Sequence, residues 1–116
     1  MATGTITNEM IHIKKLNVSY GTSVTNIKSG TAYIEAYQIG KIVFVGGYFA
    51  TTQAWTSTLY NTIIGLPATY TQARFVASVG AGKNTVMYYS INNGWCISNS
   101  QGGTDLNFGF TYIVTD

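Results

Sequence analysis

The chain has 116 residues, enough for one domain that buries roughly two thirds of its unfolded surface. Charged side chains make up 9% of it, against about 25% in an ordinary soluble domain, and the formal net charge is +2. Six dispersed basic residues exclude the dense positive footprint of a nucleic-acid binder, and no apolar run reaches the roughly 18 residues of a membrane-spanning helix.

Residues 1 to 8 are small and polar and read as a flexible or linking segment ahead of a domain over 9 to 116; MATGTITNEM lacks the regions of a signal peptide. MIHIKKLNV, 10 to 18, begins as an alternating strand, so Lys14 and Lys15 belong to a solvated strand face. Over 31 to 39, Ala32, Ile34 and Ala36 share one face against Tyr33, Glu35 and Tyr37. After Gly40 comes KIVFVGGYFA, 41 to 50, apolar on both faces: Ile42, Phe44 and Tyr48 against Val43, Val45 and Phe49. A strand in a small sandwich normally shows one face to water, so this one requires a cover: the 50 to 58 connection or another subunit.

The next strand, about 58 to 64, ends in NTIIGLP. Proline lacks a backbone donor and fixes its own φ, so Gly65 and Pro67 mark a corner where the chain leaves the core. Further strands are expected over about 73 to 79, 84 to 91, 95 to 99 and 106 to 115. Gly80 to Asn84 makes a turn, and Asn93-Gly94 is a strong hairpin signal because both residues tolerate positive φ. The last strand sets Leu106, Phe108, Phe110, Tyr112 and Val114 on a core face against Asn107, Gly109 and Thr111.

Valine, isoleucine, threonine, tyrosine, phenylalanine and tryptophan total 53 residues, whereas leucine and glutamate together contribute six. That balance favours strands. No segment of about twelve residues or more has helical periodicity with caps. Seven or eight strands at roughly ten-residue spacing predict an all-β antiparallel β-sandwich of jelly-roll type.

Catalytic chemistry has little to work with. Of the four carboxylates, only Glu35 and Asp105 are placed to form an acid/base pair, which needs about 5 to 9.5 Å between them. His12 alternates with Ile11 and Ile13 as an ordinary strand residue, and Cys96 beside Trp95 reads as an apolar filler that cannot close an internal disulfide. One histidine and one cysteine form no metal-ligand cluster. VGAGKNT, 79 to 85, lacks the phosphate-loop spacing and leads into a strand. Asn17-Val18-Ser19 is a formal glycosylation triplet of the kind chance supplies in a chain this rich in Asn and Ser. The expectation is a protein without catalysis, cofactor or metal.

The order TAYIEAYQIGKIVFVGGYFATT, a threonine-rich stretch, IIGLPATY and a terminal FGFTYIVTD resembles the C-terminal head domains of phage and prophage tail fibre and baseplate proteins. In that group a strand after a Tyr-x-x-Gly-Lys-like turn precedes a Gly-Leu-Pro corner, and an alternating aromatic strand ends the chain. The resemblance covers about residues 30 to 116. It implies a homotrimeric β-sandwich on a virion, outside the cell, that touches a surface receptor, commonly a saccharide.

The composition suits that ligand: Thr, Ser, Asn and Gln supply 17, 8, 9 and 4 residues, a surface of hydroxyls and amides. Saccharides stack their C–H faces on aromatic rings and hydrogen-bond to such groups. The candidate ligand residues are Trp55 and Tyr60 around the 51 to 60 connection, Asn93 and Trp95 at the hairpin, and Gln101 and Asp105 in the loop from 98 to 105. Two other readings stand beside this one: a purely structural trimerising cap, and a stand-alone lectin-like sandwich.

Overall fold

The computed structural model describes residues 12–70, 73–98 and 102–115. Expectations for the segment 1 to 8 and for Gln101 fall outside those residues. Nine strands form: β1 (Lys14–Leu16), β2 (Ser19–Tyr20), β3 (Tyr33–Ile39), β4 (Ile42–Ala50), β5 (Thr58–Ile64), β6 (Arg74–Gly80), β7 (Lys83–Ser90), β8 (Gly94–Ser98) and β9 (Asp105–Ile113). No helix occurs among the described residues.

All pairings are antiparallel, and one curled sheet runs in the order β1-β3-β4-β9-β6-β7-β8-β5-β2. The all-β expectation holds at this level. What differs is the layering: the strands belong to one continuous curled sheet, whereas two separate sheets were expected. Its halves join at β6 and β9, where Ser78 and Asn107 make the one register pair. By contrast β4 and β9 pair along their whole length, from Ile42 with Ile113 to Ala50 with Asp105.

The outermost strands in that order, β1 and β2, are separated in the chain by only Asn17 and Val18. Curling therefore brings the two ends of the sheet together. The Tyr20 phenol on β2 crosses the gap, donating to the backbone carbonyls of Tyr33 at 2.7 Å and Tyr48 at 3.3 Å. Burial pushes this phenol well above the ordinary tyrosine range. Its ring stands edge-on to Phe49, 5.0 Å between centroids, and needs the space left by Gly47, where a Cβ would strike both Phe108 and the Tyr20 hydroxyl.

Strand periodicity decides what fills the interior. On β9, Leu106, Phe108, Phe110 and Tyr112 alternate inward while Asn107, Gly109 and Thr111 point out, as their spacing predicts. Val43, Val45 and Phe49 of β4 are buried, and Ile42 and Phe44 remain 44% and 45% exposed on the outer face. Rings from both halves meet over β9: Phe75 stacks on Phe110 at 4.5 Å, and Trp95 lies 4.8 Å from Tyr112 and 5.2 Å from Phe110.

The punctuation residues act locally. β5 stops at Ile64, and Gly65 turns at φ +100° where a Cβ would collide with the Asn17 carbonyl. Pro67, just beyond, contributes a carbonyl that accepts the Tyr112 hydroxyl at 2.8 Å. The β7–β8 hairpin turns through Ile91, Asn92 and Asn93, with Gly94 already paired to Ser90 at φ +68°. This is one residue longer than the Asn-Gly dipeptide alone suggests.

Candidate functional site

The connection after β4 folds back onto the connection after β2. Thr51 bridges to Ile27, its N–H donates to the Thr104 carbonyl at 2.8 Å, and the Thr52 N–H donates to the Asn26 carbonyl at 2.8 Å. The Thr51 hydroxyl, itself buried, donates to the Gln53 carbonyl at 2.6 Å. Asn26 can serve this junction because it sits at φ 58°, a conformation Asn tolerates better than most side chains. Three segments are thus held together at one end of the sheet.

Between them lies a cavity of about 210 Å³. Val24, Phe49 and Leu59 give it an apolar base, and Trp55 is part of its wall. Ser23, Thr25, Asn26, Thr51, Gln53 and Ser57 supply hydroxyl and amide groups. Every lining residue is uncharged. The Ser23 hydroxyl oxygen is buried and has no hydrogen-bond partner, a condition that costs about 1 to 3 kcal/mol unless a ligand or water completes it.

A second cavity, about 470 Å³, adjoins the first at Ser23 and is lined by Tyr20, Gly21, Thr22, Tyr60, Asn61 and Ile64. Here β5 is bulged. Its register shifts between Leu59 and Ile63, Asn61 adopts φ 51°, and the Asn61 N–H donates to the Asn93 carbonyl at 2.9 Å.

The predicted site residues separate into groups. Trp55 lines the smaller cavity, and Asp105 lies exposed at the start of β9, next to the Thr104 carbonyl that anchors Thr51. Tyr60, 48% exposed, lines the larger cavity, with Asn93 tied to the same bulge. Gln101 lies outside the described residues. Trp95 is a correction: it stands inside β8 at 2% exposure, surrounded by rings, and presents no surface to a ligand. Both faces of β8 are buried there, since Trp95, Cys96 and Ile97 are all in the core. Ser23, Asn26 and Gln53 were not anticipated. The available signal was the pair of apolar residues, Val24 and Ile27, inside an otherwise polar loop, which anchor it to the core.

The groups considered for catalysis do not converge. Glu35 is registered to Gly46 and Asp105 to Ala50, four residues farther along β4 and on the next strand. At strand spacing this puts their backbones roughly 16 Å apart, beyond the acid/base separation. His12 is exposed ahead of β1, and Cys96 is fully buried with its thiol pushed up by desolvation. Glu35 instead accepts the Tyr37 hydroxyl at 3.3 Å, and hydrogen bonding to the same carboxylate raises the Tyr33 phenol. No cluster of three metal-ligating side chains occurs among the described residues. The chain matches no protein-family model, no curated protein and no solved structure.

Proposed function

We propose that this protein is a receptor-binding head of the phage tail fibre or baseplate type, which binds a neutral cell-surface glycan and works as a homotrimer on the outside of a virion. One observation carries the ligand class: the cavity beside Trp55 combines an aromatic wall, six hydroxyl- or amide-bearing residues and an unsatisfied Ser23 hydroxyl, with no charge in its lining. Such a site hydrogen-bonds a polyol and stacks its C–H face, and offers nothing to an anion or a cation. A panel of printed neutral glycans tests it. Wild-type protein should bind at least one member, and Trp55→Ala should lower that affinity tenfold or more while the circular dichroism stays that of a β protein. A folded wild-type protein that binds no glycan would leave the structural cap in its place.

The finer fold reading, a jelly-roll-like sandwich, belongs to the same proposal. Support comes from β1 and β2, which end opposite halves of the sheet yet are two residues apart, and from rings of both halves sharing one core.

Trimerisation draws support from the outer face of β4 and β9. Ile42 faces Ile113, Phe44 faces Thr111 and Gly46 faces Gly109, leaving Ile42, Phe44 and Ile113 about half exposed in one patch. A Cβ on Gly46 would meet nothing within 4 Å, so no interior contact calls for this glycine; a bare backbone in a strand allows another chain to approach closely. Phe44→Arg places a charge in that contact and should convert a trimer to monomers at micromolar concentration, read by light scattering after gel filtration. A wild-type monomer at high concentration ends the trimer reading.

A further inference from the structure

Two cavities that meet at one buried hydroxyl suggest more than a single sugar. We propose that they are adjoining subsites and that the ligand is a neutral oligosaccharide of at least two residues, laid across the edge of β5 with Ser23 at the junction. This rests on the glycan reading above and extends it.

The argument starts from β5. Leu59 and Tyr60 are successive strand residues, so their side chains point to opposite faces. Leu59 packs against the core and lines the smaller cavity; Tyr60 is exposed and lines the larger. The two cavities therefore lie on opposite faces of this strand.

They communicate at its edge. β2 is the neighbour of β5 on that side, and it pairs only with Ile63 and Ile64. The Gly21 N–H then donates to the Thr62 carbonyl, and the chain departs into the loop that carries Ser23. Residues 58 to 61 consequently have no strand beside them on the β2 side. Ser23 lines both cavities, and its buried hydroxyl lacks a partner.

One pyranose cannot touch Trp55 and Tyr60 together when the strand lies between them. Two linked residues can, with the linkage crossing the edge where Ser23 offers both a donor and an acceptor. Each subsite then offers aromatic rings and amide groups: Phe49 and Trp55 with Asn26 and Gln53 in the smaller, Tyr20 and Tyr60 with Asn61 in the larger.

The test is a chain-length series. Neutral mono-, di- and trisaccharides built on glucose, galactose, mannose and N-acetylglucosamine are titrated against wild type, Trp55→Ala, Tyr60→Ala, Tyr60→Phe and Ser23→Ala, each checked for folding by circular dichroism. In wild type the affinity should rise at least tenfold from the bound monosaccharide to its disaccharide. Tyr60→Ala should remove that gain, so that mono- and disaccharide bind alike, Tyr60→Phe should keep most of it, and Ser23→Ala should weaken the disaccharide more than the monosaccharide. Equal affinity for mono- and disaccharide in wild type, or a length gain that survives Tyr60→Ala, overturns the two-subsite proposal while leaving a single Trp55 site standing. Absence of binding by wild type across the series overturns the glycan reading and this extension together.

Discussion

Trp95→Ala should destabilise the protein by about 3 to 5 kcal/mol, a large share of the roughly 5 to 15 kcal/mol that holds a domain of this kind folded. Trp95 is the largest fully buried side chain, and its ring lies within 6.2 Å, centroid to centroid, of Phe75, Tyr89, Phe110 and Tyr112. Those partners come from β6, β7 and β9. The indole thus joins strands from both halves of the sheet, and its removal leaves a cavity that backbone pairing on both sides of β8 prevents from collapsing. Thermal melting should show a fall of at least about 12 °C. Trp95→Phe should cost distinctly less, because it also deletes the buried Nε1 donor that has no hydrogen-bond partner. A melting point for Trp95→Ala within a few degrees of wild type would refute this placement of the indole.

The second large effect is expected at Gly103. This glycine is buried between Gly102 and Thr104, and a Cβ there would run into the backbone carbonyl of Val79. An overpacked side chain can rotate aside; a backbone carbonyl in a strand cannot. Gly103→Ala should therefore cost about 3 kcal/mol, the upper end of the usual range for overpacking. It should also disturb the proposed glycan site, because the displaced loop carries the Thr104 carbonyl that receives both the N–H and the hydroxyl of Thr51. Gly46→Ala is the control. On a Phe44→Arg background, where the proposed contact between chains is already broken, its Cβ meets nothing within 4 Å, so stability should stay level or rise by a few tenths of a kcal/mol. Equal shifts in melting point for the two changes, each against its own parent, would show that the loop yields freely.

The sequence was readable where one face of a strand differs from the other. β9 alternates without a fault from Asp105 to Ile113, and both its position and its buried set follow from that alternation. β4 was equally readable, including its apolar outer face, because Gly40 and the threonines bound it. Alternation is uninformative where both faces are buried, as at Trp95, Cys96 and Ile97, so the side chain nearest the hairpin reads as a ligand residue although it belongs to the core. Nor does periodicity reveal a break. Residues 10 to 18 read as one strand, yet β1 ends at Leu16 and the chain re-forms as β2 three residues later, on the far end of the sheet. The two cavities escaped for another reason. They depend on which loops meet, and hydroxyl-rich loops such as 21 to 26 carry little pattern beyond their polarity.

The seam where the two ends of the sheet meet also determines how the molecule responds to force. β1 is held by three residue pairs and β2 by two, whereas β4 and β9 share nine. Among the described strands, tension entering at the N-terminal side reaches β1 and its three pairs first. Once these part, the pull passes through Asn17 and Val18 to β2 and the Tyr20 phenol, the direct link from β2 to the backbone of β3 and β4. The seam is thus sparsely paired, and under tension it should yield while the β4–β9 pair is still intact.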